Sequence, residues 1–129
     1  MEITSKQNTY IKEYRKLTEQ RKYRRQTGYF VCEGAKLAVE AVKSGCALGE
    51  NAYYTAAAAE KYPECISLLR ESCKMVQISE GVAGSISDTK SPQGIFITVR
   101  HLDKILNFLH QFIRRGISLC QHDGSFDRL

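Results

Sequence analysis

The sequence predicts an α/β domain with helices layered on both sides of a small sheet. Three observations carry that expectation. Segments that read as strands alternate with amphipathic helical segments as far as Arg100. Residues 95–99 (IFITV) are apolar at nearly every position, as in a strand covered on both faces. Finally, 129 residues make one ordinary domain, which buries about two-thirds of the surface its unfolded chain exposes. With 43% hydrophobic and 26% charged residues the chain fits neither the disordered nor the membrane class. No run approaches the roughly 18 apolar residues of a bilayer span.

The elements follow in order. Asn8, or alternatively Ser5, caps a first helix that runs to about residue 20. On its wheel Tyr10, Tyr14 and Leu17 share a packing face, and Lys12, Arg15 and Lys16 fall opposite. A basic segment, RKYRRQTGYFVCEG, comes next; Gly28 turns it into a short strand at 29–32, which Glu33 and Gly34 close. Residues 35–44 form a helix with Leu37, Ala38, Ala41 and Val42 inward, and Ser44-Gly45 stops it. A second strand spans 51–55. An alanine-rich helical stretch then reaches about Ser72, interrupted or restarted by Pro63. Residues 74–78 are a third strand. Ser79 caps a short helix to about Ile86, with Glu80 at its positive end. The loop SDTKSPQG leads into the strand at 95–99. Beyond it, residues 102–115 (LDKILNFLHQFIRR) form an amphipathic helix stopped by Gly116, and the tail has no pattern.

Charge is unevenly placed. Residues 1–36 hold nine basic and four acidic side chains, a surplus equal to the whole net charge of +5, while the remainder is balanced. Such asymmetry is expected of a surface that binds a polyanion. Arg21, Lys22, Arg24 and Arg25 lie within five residues, and like charges this close repel unless an anion lies between them. For the basic face of the first helix two readings stand, a solvated surface or a phosphate contact. Tyr23 and Tyr29 either stack on bases or pack beside the strand. No phosphate-loop, nucleophile-elbow or paired-histidine spelling occurs. Glu33 and Asp88 are isolated candidates for an acid or base, with a strand-end or cap role as the plainer reading. The five cysteines contain no CxxC, and the absence of an apolar signal segment in residues 1–13 points to the cytoplasm. Reduced, buried thiols are therefore expected, with no metal bound.

The opening ITSKQNTYIKEYRKLTEQRKYRRQTGYFVCEG resembles the start of the N-terminal substrate-binding domain of the SpoU/TrmH family of RNA 2'-O-ribose methyltransferases. The resemblance rests on Asn8, Lys12, Leu17, Arg21-Lys22-x-Arg24, Gly28-x-Phe30, Glu33-Gly34, Glu40-Ala41 and Ser44-Gly45. At the far side, SDTKSPQGI resembles the loop of that family with its Thr, its Pro-Gln-Gly and its apolar continuation. The resemblance covers residues 2 to about 100. It implies a three-layer α/β/α sandwich like that of the kink-turn-binding ribosomal proteins. It also implies recognition of ribosomal RNA in preference to transfer RNA, 23S rRNA first, to position it for methylation from S-adenosylmethionine.

On this basis residues 1–100 are expected to be an RNA substrate-binding domain and residues 101–129 a linker helix with an irregular tail. Lys12, Lys16, Arg21, Lys22, Arg24 and Arg25 are the expected phosphate contacts. Thr89, Lys90 and Gln93 offer polar groups either to RNA or to a hydrogen-bonded turn that holds the last strand. In this family the catalytic residues and the methyl-donor site belong to a second, knotted domain, for which 29 residues after Arg100 are too few. Neither catalytic residues nor a cofactor site is therefore expected in this chain. The alternatives are a stand-alone, non-catalytic RNA-binding protein and a fragment of a methyltransferase severed by a frameshift. RNA is the expected partner and a membrane is not. A homodimer would form through the missing domain or through the helix at 102–115.

Overall fold

The computed structural model describes residues 2–100. Its strands are β1 (Glu2–Ile3), β2 (Tyr29–Glu33), β3 (Ala47–Leu48), β4 (Asn51–Tyr54), β5 (Lys74–Ile78) and β6 (Ile95–Arg100). Its helices are α1 (Thr9–Glu19), α2 (Arg21–Thr27), α3 (Ala35–Lys43), α4 (Ala56–Lys61), α5 (Pro63–Arg70) and α6 (Glu80–Ile86). The strands form one mixed sheet in the order β1-β5-β4-β6-β2, with β3 also paired to β6. β5 is parallel to β1 and β4, whereas β6 runs antiparallel to β2, β3 and β4.

The unalternating apolar run explains the layering. Ile95, Phe96, Ile97 and Val99 of β6 are all buried, because successive side chains enter opposite faces and both faces are covered. On one face Phe30, Cys32, Ala52, Ile95, Ile97 and Val99 pack with Leu37, Ala38 and Ala41 of α3 and with Ile66 and Leu69 of α5. On the other, Val31, Tyr53, Ile78 and Phe96 pack with Ile11, Tyr14 and Leu17 of α1 and with Val82, Ala83 and Ile86 of α6. The Tyr14 ring stands edge-on to Tyr53 and Phe96 at centroid distances of 5.9 and 5.8 Å. The result is the expected sandwich of helices, sheet and helices.

Short polar side chains start the helices where the sequence places them. Asn8 accepts from the Tyr10 N–H at 2.9 Å, Thr55 from Ala58 at 3.1 Å and Ser79 from Val82 at 3.1 Å. Pro63 restarts the alanine-rich stretch as the first residue of α5, where its missing N–H costs nothing. Cys32, Cys46, Cys65 and Cys73 are buried in the core under α3 and α5, in the role of small hydrophobes.

Several expectations are corrected. Tyr10 is 54% exposed, and the buried stripe of α1 is Ile11, Tyr14, Leu17 and Thr18. The apolar stripe is centred on Ile11, which places Tyr10 at its margin. The basic run is itself a helix, α2, separated from α1 by the extended Gln20 and ended by Gly28 in a left-handed conformation (φ 78°). β1 and β3, two residues each, are too short for any periodicity to reveal. Between β3 and β4 the chain passes close over β6 at Gly49, where an added Cβ would overlap Thr98 Oγ1. The helix read at 102–115 and the tail lie outside the described residues.

Candidate nucleic-acid interface

α1 and α2 pack against each other and carry a charge surplus equal to the whole net charge of +5. Lys12, Lys16, Lys22 and Arg25 are exposed and Arg21 is half-exposed, so these five cations are open to an anion. Arg15 is partly covered, with Nη2 3.4 Å from Ser85 Oγ. The packing of the two helices explains the tyrosine between the charges. The Tyr23 hydroxyl donates to the Glu13 carboxylate at 2.8 Å, and Lys16 Nζ lies 4.1 Å from the Tyr23 ring centre. The carboxylate holds the phenol protonated above its ordinary range. Tyr23 is thus a strut between α1 and α2.

Arg24 departs from the expected phosphate set. Its side chain is 3% exposed, and Nη1 donates to the carbonyls of Leu17 at 2.7 Å and Thr18 at 2.8 Å. Those carbonyls belong to the last turn of α1, where helical geometry supplies no acceptor's partner. The guanidinium takes that place and pins the turn between the helices. A run of like charges cannot reveal which member turns inward. On α2 the third position after Arg21 faces α1, and Arg24 occupies it.

The loop at 87–94 is held at the other end of β2. Glu33 closes the strand, and its carboxylate accepts from Ser87 Oγ, from the Asp88 N–H at 3.1 Å and from Thr89 Oγ1 at 3.4 Å. Glu33 therefore acts as a clamp on the loop, the strand-end role. Gln93 Oε1 accepts from the Ala35 N–H at 2.8 Å and caps α3, because Gly34 (φ 110°) has no side chain to do so. Gln93 thus ties the loop to the start of α3. Gln93→Ala is expected to cost about 1 kcal/mol, like other lost caps, lowering Tm by about 4–8 °C in thermal unfolding, with RNA affinity unchanged. Thr89 and Lys90 are exposed at the loop surface. The Gly28 and Glu33 ends of β2 are about 15 Å apart, so the turn after α2 and the loop occupy opposite ends of the strand.

Two clefts of the described surface adjoin these elements. One, of about 250 Å³, opens between α1 and the sheet beside Tyr10, Tyr29, Tyr53, Asn51, Glu13 and Glu50. Asn51 Nδ2 donates to the Tyr53 hydroxyl at 3.3 Å, and burial holds that phenol protonated. The other, of about 660 Å³, lies between α3 and α5 and includes Lys36, Lys61, Tyr62 and Cys65. Burial pushes the Cys65 thiol up to about 11, so it offers no thiolate nucleophile at neutral pH. Nothing in the sequence pattern announces the α1 cleft, since its residues come from four separated segments.

A family model described as the MRM3-like substrate binding domain matches residues 8–96. The chain belongs to that family. The MRM3-like domain is also similar to solved structures of methyltransferases. An rRNA methyltransferase from Sinorhizobium meliloti is 24% identical, with a TM-score of 0.64 over 78% of this chain and 37% of that one. An RNA 2'-O ribose methyltransferase is 30% identical, with a TM-score of 0.65 over the same 78% and 37%. The SpoU methyltransferase AviRb from Streptomyces viridochromogenes, solved with AdoMet, is 18% identical, with a TM-score of 0.59 over 76% and 36%. The chain thus spans little more than a third of the length of these structures. A comparison with curated proteins gives no match. No described helix is long and apolar enough to cross a membrane.

At the starts of α3, α4 and α6, Ala35 N–H bonds Gln93 Oε1, Thr55 N–H bonds the Gly94 carbonyl and Val82 N–H bonds Ser79 Oγ.

Proposed function

We propose that this chain is the RNA-recognition domain of a SpoU-type RNA 2'-O-ribose methyltransferase. In this reading the substrate is ribosomal RNA, 23S rRNA in particular, positioned for methyl transfer from S-adenosylmethionine by a separate catalytic domain. The observation that supports it most is the set of five accessible cations, Lys12, Lys16, Arg21, Lys22 and Arg25, on two packed helices of a substrate-binding family. They fix the phosphate backbone, while Thr89 and Lys90 add a second contact beyond the Glu33 clamp. Specificity then comes from RNA shape and from splayed bases.

Five phosphate contacts to a single strand give a slope of log K against log salt of about −3.5. The experiment is a salt titration of a fluorescent single-stranded rRNA oligomer by the chain and by the triple variant R21E/K22E/R25E. The slope is expected to fall to about −1.5, since two contacts remain, with affinity at low salt reduced by more than tenfold. Salt-insensitive binding, or a variant that binds as the parent does, overturns the reading.

A further inference from the structure

The cleft beside α1 is unlike the rest of the basic face. Four tyrosines line it, Tyr10, Tyr14, Tyr29 and Tyr53, and beside their hydroxyls its polar side chains are Asn51, Thr98 and the carboxylates of Glu13 and Glu50. Tyr10 is the largest exposed apolar group among the described residues, at 54%. A ring so placed leaves one face open for stacking. At about 250 Å³ the cleft falls just below ordinary small-molecule pockets and has room for a single flat ring system. Asn51 is held by its bond to the Tyr53 hydroxyl, which uses one amide proton. Its other N–H and its Oδ1 remain as the donor and acceptor pair that can bond a base edge at two points.

The charges divide the labour. Carboxylates at the cleft repel phosphate, so the sugar–phosphate chain must stay outside it. Lys12 and Lys16 on the same helix are exposed to take that chain, and the Arg100 guanidinium lies 5.4 Å from the Tyr29 ring centre. What the carboxylates attract is a base edge rich in N–H donors. Guanine, with N1–H and the N2 amino group side by side, presents such an edge.

We propose that this cleft holds one unpaired guanine of the RNA, stacked on Tyr10 and read by Asn51 and Glu50. The inference rests on the RNA reading above and names a base subsite within it. The test measures anisotropy with fluorescent oligouridylates carrying one central G, A, C or U, using the full chain. The G oligomer is expected to bind about tenfold more tightly than the all-U oligomer, in the range of one base stacked on an aromatic ring. Tyr10→Ala should remove that gain without lowering Tm, because the ring is exposed. Glu50→Gln should equalise G and A while leaving the all-U affinity intact. No preference among the oligomers, with Tyr10→Ala inert and R21E/K22E/R25E still weakening binding, overturns the subsite and leaves the RNA reading standing. If the triple variant is inert as well, both fall. Oligolysine that binds in a Glu13- and Glu50-dependent way, with no base preference, assigns the cleft to a basic protein segment and overturns the subsite.

Discussion

Replacing Arg24 with alanine is expected to unfold the domain more easily by about 3 kcal/mol and to leave the salt slope of RNA binding where it was. The guanidinium is buried and bonds the Leu17 and Thr18 carbonyls at 2.7 and 2.8 Å, so truncation strands two acceptors in the seam between α1 and α2. Charge-assisted bonds of this kind contribute about 1.5–3 kcal/mol, and an orphaned buried carbonyl adds a penalty of its own. For a domain of this size the loss lowers Tm by about 12–24 °C. Arg25→Ala should show the opposite profile. Its side chain is exposed, so Tm should hold within about 2 °C, while the salt slope loses about 0.7. Urea unfolding and salt titration of the two variants separate the roles. An Arg24 variant as stable as the parent but weaker on RNA would return Arg24 to the interface.

The contrast between Arg24 and Arg25 shows where sequence reasoning reaches its limit. Adjacent arginines are indistinguishable by composition, and only the rotation of α2 against α1 decides which one turns inward. The layered α/β class was legible because β6 needs apolar residues on both faces and because Asn8, Ser79 and Pro63 mark helix starts by local chemistry, whereas Thr55, read as the end of a strand, caps α4. Local rules of that kind act within four residues and survive without knowledge of the fold. The stripe of α1 centres on Ile11 and not Tyr10, and a wheel cannot say where a stripe is centred when a tyrosine and an isoleucine are adjacent. The clamp from Glu33 to Ser87, Asp88 and Thr89 spans more than 50 positions. It was invisible for the same reason as the α1 cleft, since both exist only after β2, β4 and β6 are side by side. The concentration of basic residues in the first quarter of the chain was legible, because charged positions are read directly from the sequence, but which of them stay exposed was not.

Gly94→Ala is the substitution expected to damage the fold most. Gly94 sits where the loop enters β6, buried and left-handed at φ 83°, and an added Cβ would overlap Thr55 Oγ1. A non-glycine residue held in that conformation costs about 1 kcal/mol or more. The overlap forces Thr55 aside or strains the entry to β6, for roughly 1–3 kcal/mol. Thr55 cannot yield freely, because its N–H donates to the Gly94 carbonyl at 3.0 Å and its hydroxyl caps α4 by accepting from Ala58 at 3.1 Å. Losing that cap adds about 1 kcal/mol, for a total near 4 kcal/mol and a fall in Tm of about 16–32 °C. Gly84→Ala is the control: Gly84 lies inside α6 with open space around its would-be Cβ, and there alanine should stabilise by up to about 1 kcal/mol. A double-mutant cycle isolates the mechanism. Thr55→Ala removes the overlapping hydroxyl, so combined with Gly94→Ala it should cost less than the two single losses added together, by 1 kcal/mol or more. Strict additivity in urea unfolding would place the damage in the backbone conformation alone and reject the clash with Thr55.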